Sequence, residues 1–203
     1  MAAGRLIAIE GIDGAGKTTQ VDLLVAALRA GGHEVVATKE PTSGPFGQKI
    51  RRLSTAGQAP SASEQLELFC ADRAQHVREL IAPALARGAS VVTDRYYLSN
   101  VAYQGAAGLD PQEILARNEA EFPIPDAVIL IVVDPREGLR RVRARGGELN
   151  QTFEREDFLR EVTAVFASLS RPYLHRVDGE QSSGRVHADV RRALAGIVEF
   201  ETT

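Results

Sequence analysis

Residues 11–18, Gly11-Ile12-Asp13-Gly14-Ala15-Gly16-Lys17-Thr18, fit G-x-x-x-x-G-K-[ST] at every fixed position. The chemistry of that pattern is phosphate binding. Its glycines let backbone N–H groups turn inward around oxyanions, and the N-terminus of a following helix adds a favourable dipole. Lys17 is spaced to reach the β- and γ-phosphates of a nucleoside triphosphate, and the Thr18 hydroxyl to hold Mg²⁺. The expected nucleotide-binding set is Gly11, Asp13, Gly14, Ala15, Gly16, Lys17, Thr18 and Thr19. Only three of the 24 basic residues are Lys, and two of them, Lys17 and Lys39, stand at predicted strand-to-helix junctions.

Those junctions require elements to hold them. Strand candidates are residues 6–10, 34–38, 90–94, 127–134 and 174–177; the main helical patterns cover 17–30, 62–86, 111–121, 135–145, 156–169 and 184–199. Strands alternating with helices predict βαβ units: an α/β fold with a five-stranded parallel sheet flanked by helices on both faces. Ligands of such sheets sit beyond the carboxyl ends of the strands. There the chain places the phosphate loop, then Lys39-Glu40-Pro41-Thr42, Asp94-Arg95-Tyr96 and Asp134-Pro135.

Composition sets the outer bounds. At 203 residues the chain suits one well-cored domain, and a net charge of -3 argues against a general nucleic-acid-binding surface. One cysteine, Cys70, excludes an internal disulfide framework and fits a reducing compartment. The longest apolar run, 127–133, is too short to span a bilayer, and the first strand begins too early to leave room for a signal peptide, so the expected location is cytoplasmic. His33, His76, His175 and His187 show no metal-ligand spacing.

The segment Val92-Thr93-Asp94-Arg95-Tyr96-Tyr97-Leu98-Ser99-Asn100-Val101-Ala102-Tyr103-Gln104-Gly105 resembles the signature of thymidylate kinases. Around it the order of the phosphate loop, Lys39-Glu40-Pro41, Ile50-Arg51, Phe69-Cys70-Ala71-Asp72-Arg73 and Pro125-Asp126…Val133-Asp134-Pro135 is similar to the same family, from about Leu6 to Asp189. The resemblance implies a single P-loop kinase domain over 1–203 with a short lid at about 143–155. It also implies Mg-ATP as donor, dTMP as acceptor and a homodimer.

By that resemblance Arg95 holds the acceptor phosphate, with Arg51 and Lys39 as second contacts. An arginine suits the task because its guanidinium makes bidentate, charge-assisted hydrogen bonds. Phe69 and Arg73, four apart, share one helix face, so a ring stacking on a pyrimidine and a guanidinium donating to its O4 fit that spacing. Asn100 and Gln104 are also four apart, and either amide suits the thymine N3–O2 edge. The resemblance further implies that Tyr103 crowds the sugar 2′ position, that Asp13 meets the 3′-hydroxyl, and that Ser99 belongs to the acceptor set. Asp94 is expected to share Mg²⁺ with Thr18, whereas Asp134-Pro135 reads as a helix cap.

Two departures from the family pattern stand out. Some members carry an arginine in the phosphate loop where this chain has Gly14, so the missing charge is expected from the lid. There relatives often place Arg before an aromatic-Glu pair, but this chain has Gln151-Thr152, leaving Arg145 and Arg155 as unranked catalytic candidates. Two rival readings remain. A deoxynucleoside kinase needs a base for a 5′-hydroxyl, and Glu40 stands where one would sit. A GTP-binding switch needs an Asn-Lys-x-Asp segment, which the sequence lacks.

Overall fold

The computed structural model describes residues 4–55, 60–146 and 155–200. Five strands, β1 (Leu6–Glu10), β2 (Val35–Lys39), β3 (Ser90–Asp94), β4 (Ala127–Val132) and β5 (Leu174–Asp178), form one all-parallel sheet in the order β2-β3-β1-β4-β5. β1 is buried at every residue and β4 at all but its last, so both faces of the sheet centre are covered. The edge strands alternate or are half exposed. That gradient explains the sequence: the centre needs unbroken apolar runs, and the edges tolerate Lys39, Arg176 and Asp178.

The helices are α1 (Lys17–Ala30), α2 (Pro45–Thr55), α3 (Ala62–His76), α4 (Ala82–Ala86), α5 (Tyr97–Ala106), α6 (Pro111–Glu121), α7 (Pro135–Ala144), α8 (Glu156–Ser168) and α9 (Ser183–Ala193). α2 and α5 lie outside the six main helical patterns. The predicted 62–86 helix is interrupted by a π-helical turn at Val77–Ile81, where the Ala82 amide donates to the Val77 carbonyl. Pro83 supplies the cause, because it has no amide hydrogen and its ring clashes with a carbonyl four residues back. β4 stops at Val132, two residues early, since Asp134 caps α7 by accepting from the Arg136 amide, with Pro135 at its first turn. The final helix ends at Ala193 rather than Glu199.

The strand order positions the site. β1 lies between β3 and β4 and pairs with both, so the chain reverses its winding direction at the end of β1. Asp94 pairs with Ile9 on one side and with Lys39 on the other. The phosphate loop, the Asp94-Arg95 turn and the Lys39-Glu40 turn therefore emerge side by side.

Candidate active site

The loop after β1 closes around its own lysine. Lys17 is buried, and its ammonium donates to the Ile12 carbonyl at 2.8 Å. Burial lowers its pKa and the nearby Arg95 charge lowers it further; Asp13, Asp94 and Glu10 resist, leaving it at about 8. α1 has no side-chain cap, because its N-cap is Gly16, left-handed (φ 96) and without a side chain, so the first amides of the helix stay open to an anion. Gly14 is also left-handed (φ 81), and a Cβ there would lie 2.1 Å from the Gly138 carbonyl of α7. The backbone of α7 thus seats directly on the phosphate loop. No side chain fits at position 14 as the helix stands, the physical reason the loop holds no arginine there.

On the other side of the loop, the Thr18 hydroxyl donates to Asp94 Oδ2 at 2.6 Å. Both are hard oxygen groups of the kind Mg²⁺ takes, held together here by a hydrogen bond. Among the described residues no cluster of three or more His, Cys, Asp or Glu forms a dedicated metal cage.

Arg95 bridges the loop to the next cavity. Its Nη2 donates to Asp13 Oδ1 at 2.7 Å, and its Nη1 donates to the Gly11 carbonyl (3.1 Å) and Ser99 Oγ (2.9 Å). Its guanidinium lies over the Tyr103 ring, 5.3 Å from the centroid. Arg95 is the one side-chain-bearing residue with positive φ (72) among those described. A conformation that L-residues avoid persists where surroundings impose it, and such residues concentrate at functional sites. Burial opposes ionisation of Asp13, but Arg95 and then Lys17 outweigh it and bring its carboxyl down to about 2.

A cavity of about 420 Å³ opens beside Arg95. Its walls contain every residue of the expected acceptor set except Lys39: Asp13, Arg51, Phe69, Arg73, Arg95, Ser99, Asn100, Tyr103 and Gln104. Lys39 is exposed at the end of edge strand β2 and lies outside this lining. Arg73 and Phe69 share the α3 face that meets the cavity, as their spacing predicts.

Arg73 is nearly inaccessible, at 1 % exposure, and its guanidinium is heavily committed. Nε and Nη2 donate to Glu40 Oε2 (3.0 and 2.6 Å), Nη2 also to Asn100 Oδ1 (2.7 Å), and Nη1 to Asn118 Oδ1 (2.7 Å). Four of a guanidinium's five N–H groups are accounted for. Asn100 in turn donates to Gln104 Oε1 (3.1 Å), and Gln104 to Gln65 (3.3 Å), so both amides belong to one chain of bonds. Glu40 stands where the rival deoxynucleoside kinase would need its base. Its Oε2 receives Arg73 and its Oε1 faces His76 Nδ1 at 3.0 Å, so it is a buried brace at the cavity wall with both oxygens engaged.

Further support comes from bonds that the sequence does not announce. Asp72 holds the Thr42 amide and hydroxyl (2.8 and 2.6 Å), and Arg51 donates to the Pro41 and Thr42 carbonyls (3.0 and 2.6 Å). Asn118 is fully buried in α6. The lid divides: Arg145, at the end of α7, contributes charge that lowers the Asp13 pKa, whereas Arg155 is the exposed cap residue of α8. Residues 147–154 of the expected lid, Gln151 and Thr152 included, lie outside the described residues.

The thymidylate kinase family model matches residues 9–190. The thymidylate kinase of Desulfotalea psychrophila is 46% identical over 187 residues, 92% of this chain and 92% of that protein. That of Xanthomonas euvesicatoria is 50% identical over 196 residues, covering 95% of this chain and 85% of its own, and that of Xanthomonas campestris is 47% identical over the same span. A family match over residues 9–190, with relatives 46–50% identical over 92–95% of this chain, makes it a member of the thymidylate kinase family.

Proposed function

We propose that the chain transfers the γ-phosphate of ATP to dTMP, giving ADP and dTDP, with the donor on the phosphate loop and the acceptor in the cavity beside Arg95. The observation that carries this reading is Arg95 itself, a cation fixed between the loop carboxylate Asp13 and the cavity wall. Burial disfavours its charge, but Asp13 outweighs that and keeps the guanidinium firmly protonated.

An oxygen of the dTMP phosphate attacks the γ-phosphorus as the bond to the ADP oxygen breaks. The acceptor's second pKa is near ~6, so at neutral pH it arrives as a dianion and needs no general base. That removes the task a deoxynucleoside kinase would set for Glu40, whose oxygens are held by Arg73 and His76. The chain's contribution is placement and charge. Lys17 and the loop amides face charge on the transferring phosphoryl group, and Arg95 orients the attacking oxygen. Thr18 and Asp94 would hold Mg²⁺, which neutralises phosphate charge when bound. Arg145, whose charge already reaches Asp13, is the better placed of the two lid candidates. Phe69, Arg73 and the Asn100–Gln104 pair read the pyrimidine, and Tyr103 limits space at the sugar.

The same reading takes residues 1–203 as one catalytic unit with a lid at about 143–155, working in the cytoplasm as a homodimer. No helix among the described residues is long and apolar enough to cross a membrane. The test is ADP release with ATP and Mg²⁺ over a panel of nucleoside monophosphates and free thymidine. Turnover is expected on dTMP and not on thymidine; the reverse overturns the proposal.

A further inference from the structure

Glu10 carries a fully buried carboxylate that the chemistry above does not use. It is the last residue of β1, and three donors converge on it from the turn after β3. The Tyr96 and Ser99 amides donate to Oε1 at 2.9 and 3.0 Å, and the Ser99 hydroxyl donates to Oε2 at 2.6 Å. α5 has no local side-chain cap, since Tyr96 occupies its N-cap in extended conformation. Glu10 therefore caps that helix from another strand. Those bonds fix the N-cap that directly follows Arg95, which is itself held in its left-handed conformation with its own amide on the Ile9 carbonyl (2.9 Å).

The hydroxyl bond adds a second effect. A carboxylate only accepts, so Ser99 commits its single proton to Glu10 and presents lone pairs to Arg95 Nη1, 2.9 Å away. We propose that Glu10 is a positioning residue for Arg95: it holds the strained turn and, through the Ser99 hydroxyl, sets the direction of the guanidinium that clamps the acceptor phosphate. This rests on the reading that Arg95 holds that phosphate. Burial raises the Glu10 pKa, and the Ser99 hydrogen bond and then the Arg95 charge oppose that rise; an amide would be cheaper to bury here. Glutamine would keep an acceptor for the two amides. Its NH₂ group, however, would compete with Arg95 for the Ser99 lone pairs.

Glu10→Gln in the full chain tests this. The expected result is a dTMP KM raised about tenfold with the ATP KM unchanged and the melting temperature close to the parent's. In an Arg95→Lys background the same change should add less than about twofold, because its target is already gone. Equal changes in both KM values, no change in either, or the same factor in both backgrounds overturns the inference. If Glu10→Gln does not fold, Ser99→Ala reports the hydroxyl link alone, with the same KM split expected and its absence counting against the proposal. Arg95→Ala separates the two levels. If it leaves the dTMP KM unchanged, the Arg95 reading falls and the inference with it. If it raises that KM while Glu10→Gln does not, only the inference falls.

Discussion

The donor and acceptor halves of this site are built in opposite ways. The proposed donor half is a continuous eight-residue loop that offers mainly backbone amides, and its geometry follows from left-handed glycines at 14 and 16. The acceptor half is assembled from side chains of α2, α3, α5 and the strand ends, and its charged members are held by residues tens of positions away. A loop of backbone donors serves any triphosphate, because the phosphate chain is common to all of them. A cavity lined by oriented side chains can discriminate, because each amide or guanidinium has few donors left and their directions are fixed. The lesson is a division of labour. Charge stabilisation is local and generic, and substrate choice is long-range and specific.

Four measurements would break or sharpen that contrast. The largest effect is expected from Lys17→Ala, which should lower kcat by about 10³-fold by removing the cation at the transferring phosphoryl group. Calorimetric dTMP binding should stay nearly intact, and its loss would mean the halves are not separable. Arg95→Ala should raise the dTMP KM by about 10²-fold through loss of a charge-assisted phosphate clamp, with the ATP KM little changed. Gly14→Ala should cost about 2–4 kcal/mol of stability in thermal or urea denaturation, from the left-handed backbone plus the collision with Gly138. A neutral result there would show that α7 does not seat on the loop.

The smallest effect is in pH. Lys17 is charged below its pKa of about 8 and neutral above it, so kcat/KM for ATP should fall as pH rises through 8, by up to about tenfold per unit. At saturating ATP, kcat/KM for dTMP should hold level between pH 7 and 9. Asp13, with a pKa near 2, stays ionised across that range, and Arg95 stays protonated. A parallel fall in both would deny the donor half its own titration.

Much of this was legible in the residues. The loop, the five parallel strands and the Asp134-Pro135 cap follow from local spacing, and Phe69 with Arg73 follows from the geometry of one helix turn. The π turn at Val77–Ile81 was less so, because a proline inside a helical pattern announces a break without saying which turn absorbs it. Lys39 misled by position. It stands at a strand end as expected, but on an edge strand, where it is exposed outside the cavity lining. Glu40 needed the structure: a carboxylate after a strand is what a deoxynucleoside kinase would use as base, and here Arg73 and His76 occupy it.

What the sequence by itself determined is the class of chemistry. Phosphate binding needs only a short run of glycines, a lysine and a hydroxyl ahead of a helix, all fixed within eight residues. Which groups meet across the sheet was decided by the tertiary structure alone. The order β2-β3-β1 brings Asp94 to Thr18, Arg95 to Asp13 and Glu10 to the turn that carries Arg95. The seating of α7 on Gly14 excludes a side chain at that one position of the loop. Such pairings join residues up to about 125 positions apart, and strand order and helix packing, rather than local spacing, set those distances.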